Sequence, residues 1–275
     1  MTDRPASRLS DLQARKLRGE KIAMLTAYDA TMAALLAGAG VDALLVGDSL
    51  GMVVLGHDTT LPVTLEQMIH HTRAVTRGAP HALVIADMPF LSYLVSVAEA
   101  VRNAGRLLQE GRATAVKLEG GRAVLETVSR LVEVGIPTMG HLGLLPQSVH
   151  QLGGYRQRAT EPADAEILLA DALALEAAGC FAVVLEAIPA PLAARVTAQL
   201  RVPTIGIGAG PDCDGQILVS HDMLGLFNRF VPPFVTQYAQ LALTIEAATR
   251  AYVDDVRRGR HPRVQARDAT SATTA

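Results

Sequence analysis

Asp48, Asp87, Lys117, Glu119, His141 and Glu186 are far apart in the chain, yet each lies at or beside the end of a short apolar run. Asp48, Asp87 and Glu119 are oxygen donors with no cysteine nearby. Such a set suits Mg2+, which keeps water and takes substrate oxygens into its shell. Ser49 adds a hydroxyl and a backbone N–H able to hold a carboxylate, and Lys117 offers the same anion a positive charge. Glu186 is a separate carboxylate, available as a general base. A metal, an anion clamp and a separated base together suit chemistry at carbon next to a carbonyl, with the metal stabilising the developing enolate oxygen.

Taken singly, each residue has an ordinary explanation. Asp48 reads equally as a turn residue, Asp87 as the start of a loop before Met88-Pro89, and Glu119 as an exposed residue before Gly120-Gly121. His141 reads as a core histidine, and Glu186 as the partner of an arginine. Their shared position at successive run ends is what random placement would scatter. Lysine usage adds to the pattern: of 25 basic residues only Lys16, Lys21 and Lys117 are lysine, and Lys117 alone interrupts an apolar run. An ammonium is a compact point charge that an arginine does not replace. The glycines at 206, 208 and 210 only loosely resemble a dinucleotide fingerprint, because Pro211 stands where the third glycine belongs. A tight turn at a strand end, or close approach of the backbone to a ligand, accounts for them.

The apolar runs are 22–27, 43–47, 82–86, 115–118, 137–140, 182–185, 203–207 and 216–219. Helical patterns lie between most of them, at 30–37, 64–77, 97–109, 123–134, 163–178 and 191–200, and another follows at 239–252. Thr64 and Gln67 form a capping box. Repeated strand–helix units predict a (β/α)8 TIM barrel with an extra N-terminal helix, Leu9–Leu17. A doubly wound open sheet is the competing α/β arrangement. The connection from Gly208 to Gly215 is too short for a helix. We expect one barrel domain over 1–260 and a disordered tail over 261–275. In such a barrel the active site lies at the C-terminal ends of the strands, where the six residues fall.

The chain has 275 residues, of which 49% are hydrophobic, enough for an ordinary core. The net charge of −2 carries no basic excess, so nucleic-acid binding is not expected. Mean hydropathy is +0.25, but no apolar run approaches the length of a membrane span, and residues 1–20 are polar. We therefore expect a soluble cytoplasmic protein. Cys180 and Cys213 lie in no C-x-x-C motif, which leaves no zinc or redox signature.

Several segments resemble the ketopantoate hydroxymethyltransferase family. They are Val46-Gly47-Asp48-Ser49-Leu50-Gly51-Met52, Gly56-His57-Asp58, Thr60-Leu61-Pro62-Val63-Thr64 and Ala86-Asp87-Met88-Pro89-Phe90. Val116-Lys117-Leu118-Glu119-Gly120-Gly121, Gly140-His141-Leu142-Gly143-Leu144, Pro146-Gln147-Ser148 and Gly153-Gly154-Tyr155 follow in the same order. Leu185-Glu186, Gly206-Ile207-Gly208-Ala209-Gly210 and Asp214-Gly215-Gln216 complete the match, which runs from Lys21 to Tyr252. The resemblance implies transfer of a hydroxymethyl group from 5,10-methylenetetrahydrofolate to 3-methyl-2-oxobutanoate, giving 2-dehydropantoate on the way to pantothenate. It implies Mg2+ held by Asp48 and Asp87, with Glu119 in or near the shell, and a homodecamer of two pentameric rings. It implies that Asp48, Ser49, Asp87, Lys117 and His141 contact the ketoacid and that Glu186 accepts the proton. It names no folate-binding residues; the rim near Gly208 is only our expectation for where folate sits. The chain departs from the family pattern beside Pro233-Phe234-Val235, where members often carry a lysine and this chain has Pro232 and Thr236, and again beyond Gly259.

Three other readings fit parts of the pattern. Lys117 could form a Schiff base as in an aldolase, although three nearby carboxylates would keep it charged. A metal-dependent lyase or mutase acting on another ketoacid would share the metal logic. A barrel without catalysis would not depend on Glu186.

Overall fold

The structure is a computed structural model and describes residues 7–154 and 156–261. The tail expected from residue 261 therefore lies, apart from His261, outside the described residues, as does Tyr155. In chain order the elements are α1 (Leu9–Arg18), β1 (Ile22–Thr26), α2 (Ala30–Ala39), β2 (Ala43–Val46), α3 (Leu50–Val53), α4 (Leu65–Gly78), β3 (Leu83–Asp87) and α5 (Val97–Gln109). Then come β4 (Ala115–Glu119), α6 (Leu125–Glu133), β5 (Thr138–Gly143), α7 (Val149–Leu152), α8 (Pro162–Ala177) and β6 (Ala182–Glu186). The last are α9 (Ala190–Gln199), β7 (Thr204–Ile207), β8 (Gly215–Leu218), α10 (Ser220–Met223) and α11 (Leu241–Arg257).

The eight strands close into a barrel in sequence order, every neighbouring pair parallel, with β8 returning to β1. This is the TIM-barrel arrangement that the alternating runs predict. Local chemistry explains the helices between. Thr64 accepts from the Gln67 amide at 3.2 Å while Gln67 returns a bond to the Thr64 amide, the capping box that starts α4. Ser96 caps α5 by accepting from the Glu99 N–H at 3.2 Å, and α5 buries Ala100, Ala104 and Leu107 at helical spacing against the sheet. Pro162 opens α8, where its missing N–H leaves nothing unsatisfied.

Strand alternation sorts the side chains into two cores. Leu44, Val46, Val84, Ala86, Val116 and Leu118 face outward and pack with Met68, Leu107 and Leu131 of the helices. Ile22, Met24, Leu83, Ile85, Met139 and Ile217 belong to a second cluster inside the barrel. Leu12 of α1 joins that inner cluster, so the expected extra helix plugs one end of the barrel. Lys16 of α1 fixes the plug by an ion pair to Asp214 at 2.7 Å, just before β8.

No helix links β7 to β8; residues 208–214 return directly. Seven extended residues reach roughly 23 Å, longer than a four-residue strand, so a helix is not needed to make the parallel crossing. Gly215 opens β8 and pairs with both Ile22 and Ile205. A Cβ there would meet the Ile22 carbonyl oxygen at 2.6 Å, so the junction of first and last strands requires glycine.

The chain divides into two compact units. The barrel comprises the described residues up to Ser220 together with Pro232–Val235. The second unit holds His221–Val231 and the described residues from Thr236 to His261, with α11 as its main element. Within it Asp254 pairs with both Arg258 and Arg260 at 2.7 Å, tying the last turn of α11 to the residues after it.

Two expectations follow from the barrel. Gly143 ends β5 at φ +97°, and a Cβ there would collide with the Glu186 backbone oxygen at the end of β6. Gly143→Ala is expected to lower unfolding stability by at least about 2 kcal/mol, read from urea denaturation. Cys180 is buried, and burial pushes its thiol up to about 12, while Cys213 is buried and also raised. At pH 8 both stay protonated, so iodoacetamide should leave both unmodified in the folded protein and alkylate both in 6 M guanidinium (a standard denaturing concentration, about the upper end of the usual unfolding range).

Candidate active site

The strand alternation that builds the inner core continues one layer higher with polar residues. Two positions beyond Ile85 stands Asp87; beyond Ala115 come Lys117 and Glu119; beyond Met139 stands His141; beyond Val184 stands Glu186. The charged cluster is thus the top layer of the barrel interior, at the strands' C-terminal ends. Asp87, Lys117, Glu119 and His141 are each at most 4% exposed. Asp48 joins them from the turn after β2, where its backbone N–H donates to Asp87 Oδ2 at 3.0 Å. Gly47 permits this turn, since a Cβ would sit 2.8 Å from Ser49 Oγ.

The group is closely linked. Lys117 Nζ lies 2.9 Å from Asp87 Oδ1, an ion pair by distance whose angles are not those of a hydrogen bond. Lys117 Nζ is also 3.2 Å from His141 Nδ1, and Glu119 Oε1 is 3.4 Å from the same nitrogen. On the far side of the ring, His141 Nε2 is 3.1 Å from Glu186 Oε2, but off the N–H direction. Glu186 is therefore close to His141 without being locked to it. Ser49 Oγ shares a hydrogen bond of 2.9 Å with Tyr28 OH. The structure brings together all seven residues singled out from the sequence: each lines one cavity of about 100 Å3. That holds several waters or a small acid, and is well short of the 300–1,000 Å3 or so of sites for drug-sized ligands.

Charge decides the state of these groups. Burial pushes Asp48 well up, and Asp87 and Glu119 push it further. Burial also raises Asp87, and Lys117 offsets only part of this. For Glu119, burial works upward, but His141 and Lys117 outweigh it and hold the carboxyl below its ordinary value. Burial pulls Lys117 down, but Asp87, Glu119 and Asp48 outweigh it and keep the ammonium charged. Burial and Lys117 pull His141 down, while the carboxylates of Glu119 and Glu186 carry it up to about 9. One ring nitrogen cannot both accept from Lys117 and donate to Glu119. The neutral ring can hold Lys117 through Nδ1; the charged ring holds Glu119 and gives up that bond. The upward direction favours the second state.

The donors suit a hard divalent cation. Asp87 Oδ1 is buried with no hydrogen bond, Asp48 and Asp87 are carboxylates held against burial, and neither cysteine lines the cavity. Among the described residues no group of three or more His, Cys, Asp or Glu side chains is arranged to enclose a metal. Mg2+ does not require one, since it commonly takes one or two carboxylates and completes its shell with water and substrate. Asp48 and Asp87 fit that pair. Glu119, the third residue expected around the metal, has Oε2 engaged by the Gln147 amide at 3.1 Å and Oε1 beside His141, which places it behind the pair.

Tyr28, Tyr93 and Gln147 were not singled out individually from the sequence, although Gln147 lies in a matched segment. Their signal is slight: uncharged polar residues in loops, of types that also occur at surfaces. The glycine at 208 is explained by this chain itself, because Phe234 packs against it and a Cβ would come within 2.6 Å of the ring. No helix among the described residues is long and apolar enough to cross a membrane.

Comparison with known proteins places the chain in a family. The ketopantoate hydroxymethyltransferase family matches residues 6–264. The 3-methyl-2-oxobutanoate hydroxymethyltransferase of Moorella thermoacetica is 61% identical, the match covering 95% of this chain and 97% of that protein. The enzyme of the same name from Syntrophus aciditrophicus is 58% identical, over 92% of this chain and 93% of that one. Among solved structures, phosphonopyruvate hydrolase with oxalate and Mg2+ superposes with a TM-score of 0.61 at 12% identity, covering 97% of this chain and 91% of that one. A 2,3-dimethylmalate lyase of the PEP mutase/isocitrate lyase superfamily gives 0.60 at 18% identity, covering 94% and 87%. These two share the fold. By the family match and the close relatives, this chain belongs to the ketopantoate hydroxymethyltransferase family and is a transferase enzyme of that kind.

Proposed function

We propose that the chain transfers a hydroxymethyl group from 5,10-methylenetetrahydrofolate to 3-methyl-2-oxobutanoate, with Mg2+ held by Asp48 and Asp87, giving 2-dehydropantoate and tetrahydrofolate. The observation that carries the reading is the division of the cavity. The charged groups come from the turn after β2 and from β3 to β6, from Asp48 round to Glu186; the lining from β7, β8 and the residue after it is apolar, made by Ile207, Ile217, Leu218 and Val219. A branched ketoacid has the same division, with a carboxylate and keto group at one end and an isopropyl group at the other. The cavity holds the acid but not a folate, so the folate would reach it from the open mouth.

In this reading Lys117 and Ser49 hold the carboxylate end, and the apolar wall orients the isopropyl group. Mg2+, when bound, supplies positive charge beside the keto oxygen and makes the neighbouring C3–H more acidic. Glu186 stands at the boundary of the two walls, where C3 would lie, and accepts that proton. The electron pair left at C3 forms the new carbon–carbon bond to the folate methylene carbon. The carbon–nitrogen bonds to folate break, and one water supplies the hydroxyl oxygen. His141, 3.1 Å from Glu186, places positive charge beside the base without fixing its orientation. A Schiff base at Lys117 is disfavoured, because three carboxylates keep that ammonium protonated and therefore non-nucleophilic.

We also infer a cytoplasmic homo-oligomer, a decamer by family resemblance. In support, α11 buries none of its residues and exposes Leu243, Ile245, Tyr252 and Val256, a surface that further copies would cover.

Deuterium exchange at C3 of 3-methyl-2-oxobutanoate, followed by NMR without folate, tests the chemistry. Exchange should require Mg2+, stop with EDTA, and fall by at least about a hundredfold in Glu186→Gln. Exchange that persists in EDTA with borohydride trapping at Lys117 would replace this mechanism by an aldolase. Light scattering should give a mass near ten times the 29.0 kDa chain; a monomer would refute the assembly.

A further inference from the structure

Gln147 and Tyr93 are buried beside the charged cluster, and the chemistry above uses neither. Gln147 lies in the turn 146–148 after β5. Its Nε2 donates to Asp48 Oδ2 at 2.9 Å and to the Met88 carbonyl oxygen at 2.9 Å. The Met88 carbonyl can only accept, as can an ionised Asp48, so the amide faces them with its nitrogen. That turns Oε1 toward Tyr93 OH, which donates to it at 2.8 Å. The Gln147 backbone N–H donates to Glu119 Oε2, and Tyr93 OH accepts from the Glu119 N–H at 3.2 Å. One residue therefore grips Asp48 by its side chain and Glu119 by its backbone, and Tyr93 sets which way its amide points. Asp48 and Gln147 come from loops on opposite sides of β3 and β4, so the bond between them ties two separate loops together at the carboxylate.

We propose that Gln147 is a positioning residue for the cation site: its carboxamide, oriented by Tyr93, fixes the Asp48 carboxylate, and its backbone N–H fixes Glu119. The inference rests on reading Asp48 as a cation ligand. A residue that only braced the loop would change melting temperature and leave cation affinity alone.

The test uses Mn2+ as probe, with free ion counted by electron paramagnetic resonance on the substrate-free protein, and circular dichroism to verify folding. The variants are Gln147→Leu, Tyr93→Phe and, as a control on Asp48, Asp48→Asn. Wild type should bind Mn2+ and Asp48→Asn should not. Gln147→Leu should weaken binding about ten- to hundredfold, and Tyr93→Phe should weaken it in the same direction by less. The KM for Mg2+ should rise in parallel, and kcat should recover toward wild type at saturating Mg2+. Folded variants that bind Mn2+ as tightly as wild type, while Asp48→Asn does not bind, would overturn the positioning role and leave the cation site standing. Wild type without Mn2+ binding would overturn both. If Gln147→Leu does not fold, Tyr93→Phe decides, and unchanged affinity in that folded variant overturns the proposal.

Discussion

Three carboxylates buried around one ammonium are the arrangement on which the mouth of this barrel is built. Asp48, Asp87 and Glu119 are almost wholly buried with Lys117 among them, and Lys117 stands 2.9 Å from Asp87. Removing one partner of such a buried pair typically costs about 3–5 kcal/mol, because the other is left uncompensated. Much of the surrounding structure serves to make this burial tolerable. The Gly47 turn brings a backbone N–H to Asp87, the Gln147 amide reaches Asp48, and His141 sits against Glu119. The negative charge that remains is of the kind that suits a hard cation.

The barrel supplies this cluster at little structural cost, because one periodicity makes both the core and the site. Inward positions carry Ile, Met and Leu through the lower layers and switch to Asp, Lys, Glu and His in the uppermost one. Below, α1 closes the interior with Leu12, so the polar layer opens in one direction only. On the β7–β8 side the lining is apolar, which divides the cavity between a charged and a hydrocarbon part.

The same periodicity explains what could be read from sequence. Strands such as Ile22–Thr26 and Ala182–Glu186 announce themselves as short β-branched or apolar runs, and Asp87, Lys117, Glu119, His141 and Glu186 are legible as polar breaks where such runs end. The Thr64–Gln67 box fixes the start of α4 from sequence alone. Other features needed the fold. That Glu119 is taken up by Gln147 and His141 depends on the approach of two loops, and no spacing in the chain encodes it. Tyr28, Tyr93 and Gln147 are neutral, and in a single sequence a buried hydrogen-bonded amide looks like a surface one. Gly208, open to a ligand in sequence, is covered by Phe234, a contact between residues far enough apart that only the folded barrel reveals it. The division into two units likewise has no linker composition to mark it.

The helix-free return between β7 and β8 bears on how the barrel comes to be closed. Gly215 pairs with Ile205 across a short loop and with Ile22 across most of the chain. The difference in loop-closure entropy is roughly 2–3 kcal/mol in favour of the local pair. The seventh and eighth strands can therefore join early as a two-stranded edge, and the slow event in reaching the native state becomes the capture of the first strand by the last. Gly215, which admits the Ile22 carbonyl where any Cβ would exclude it, lies at the start of that closing pair of strands.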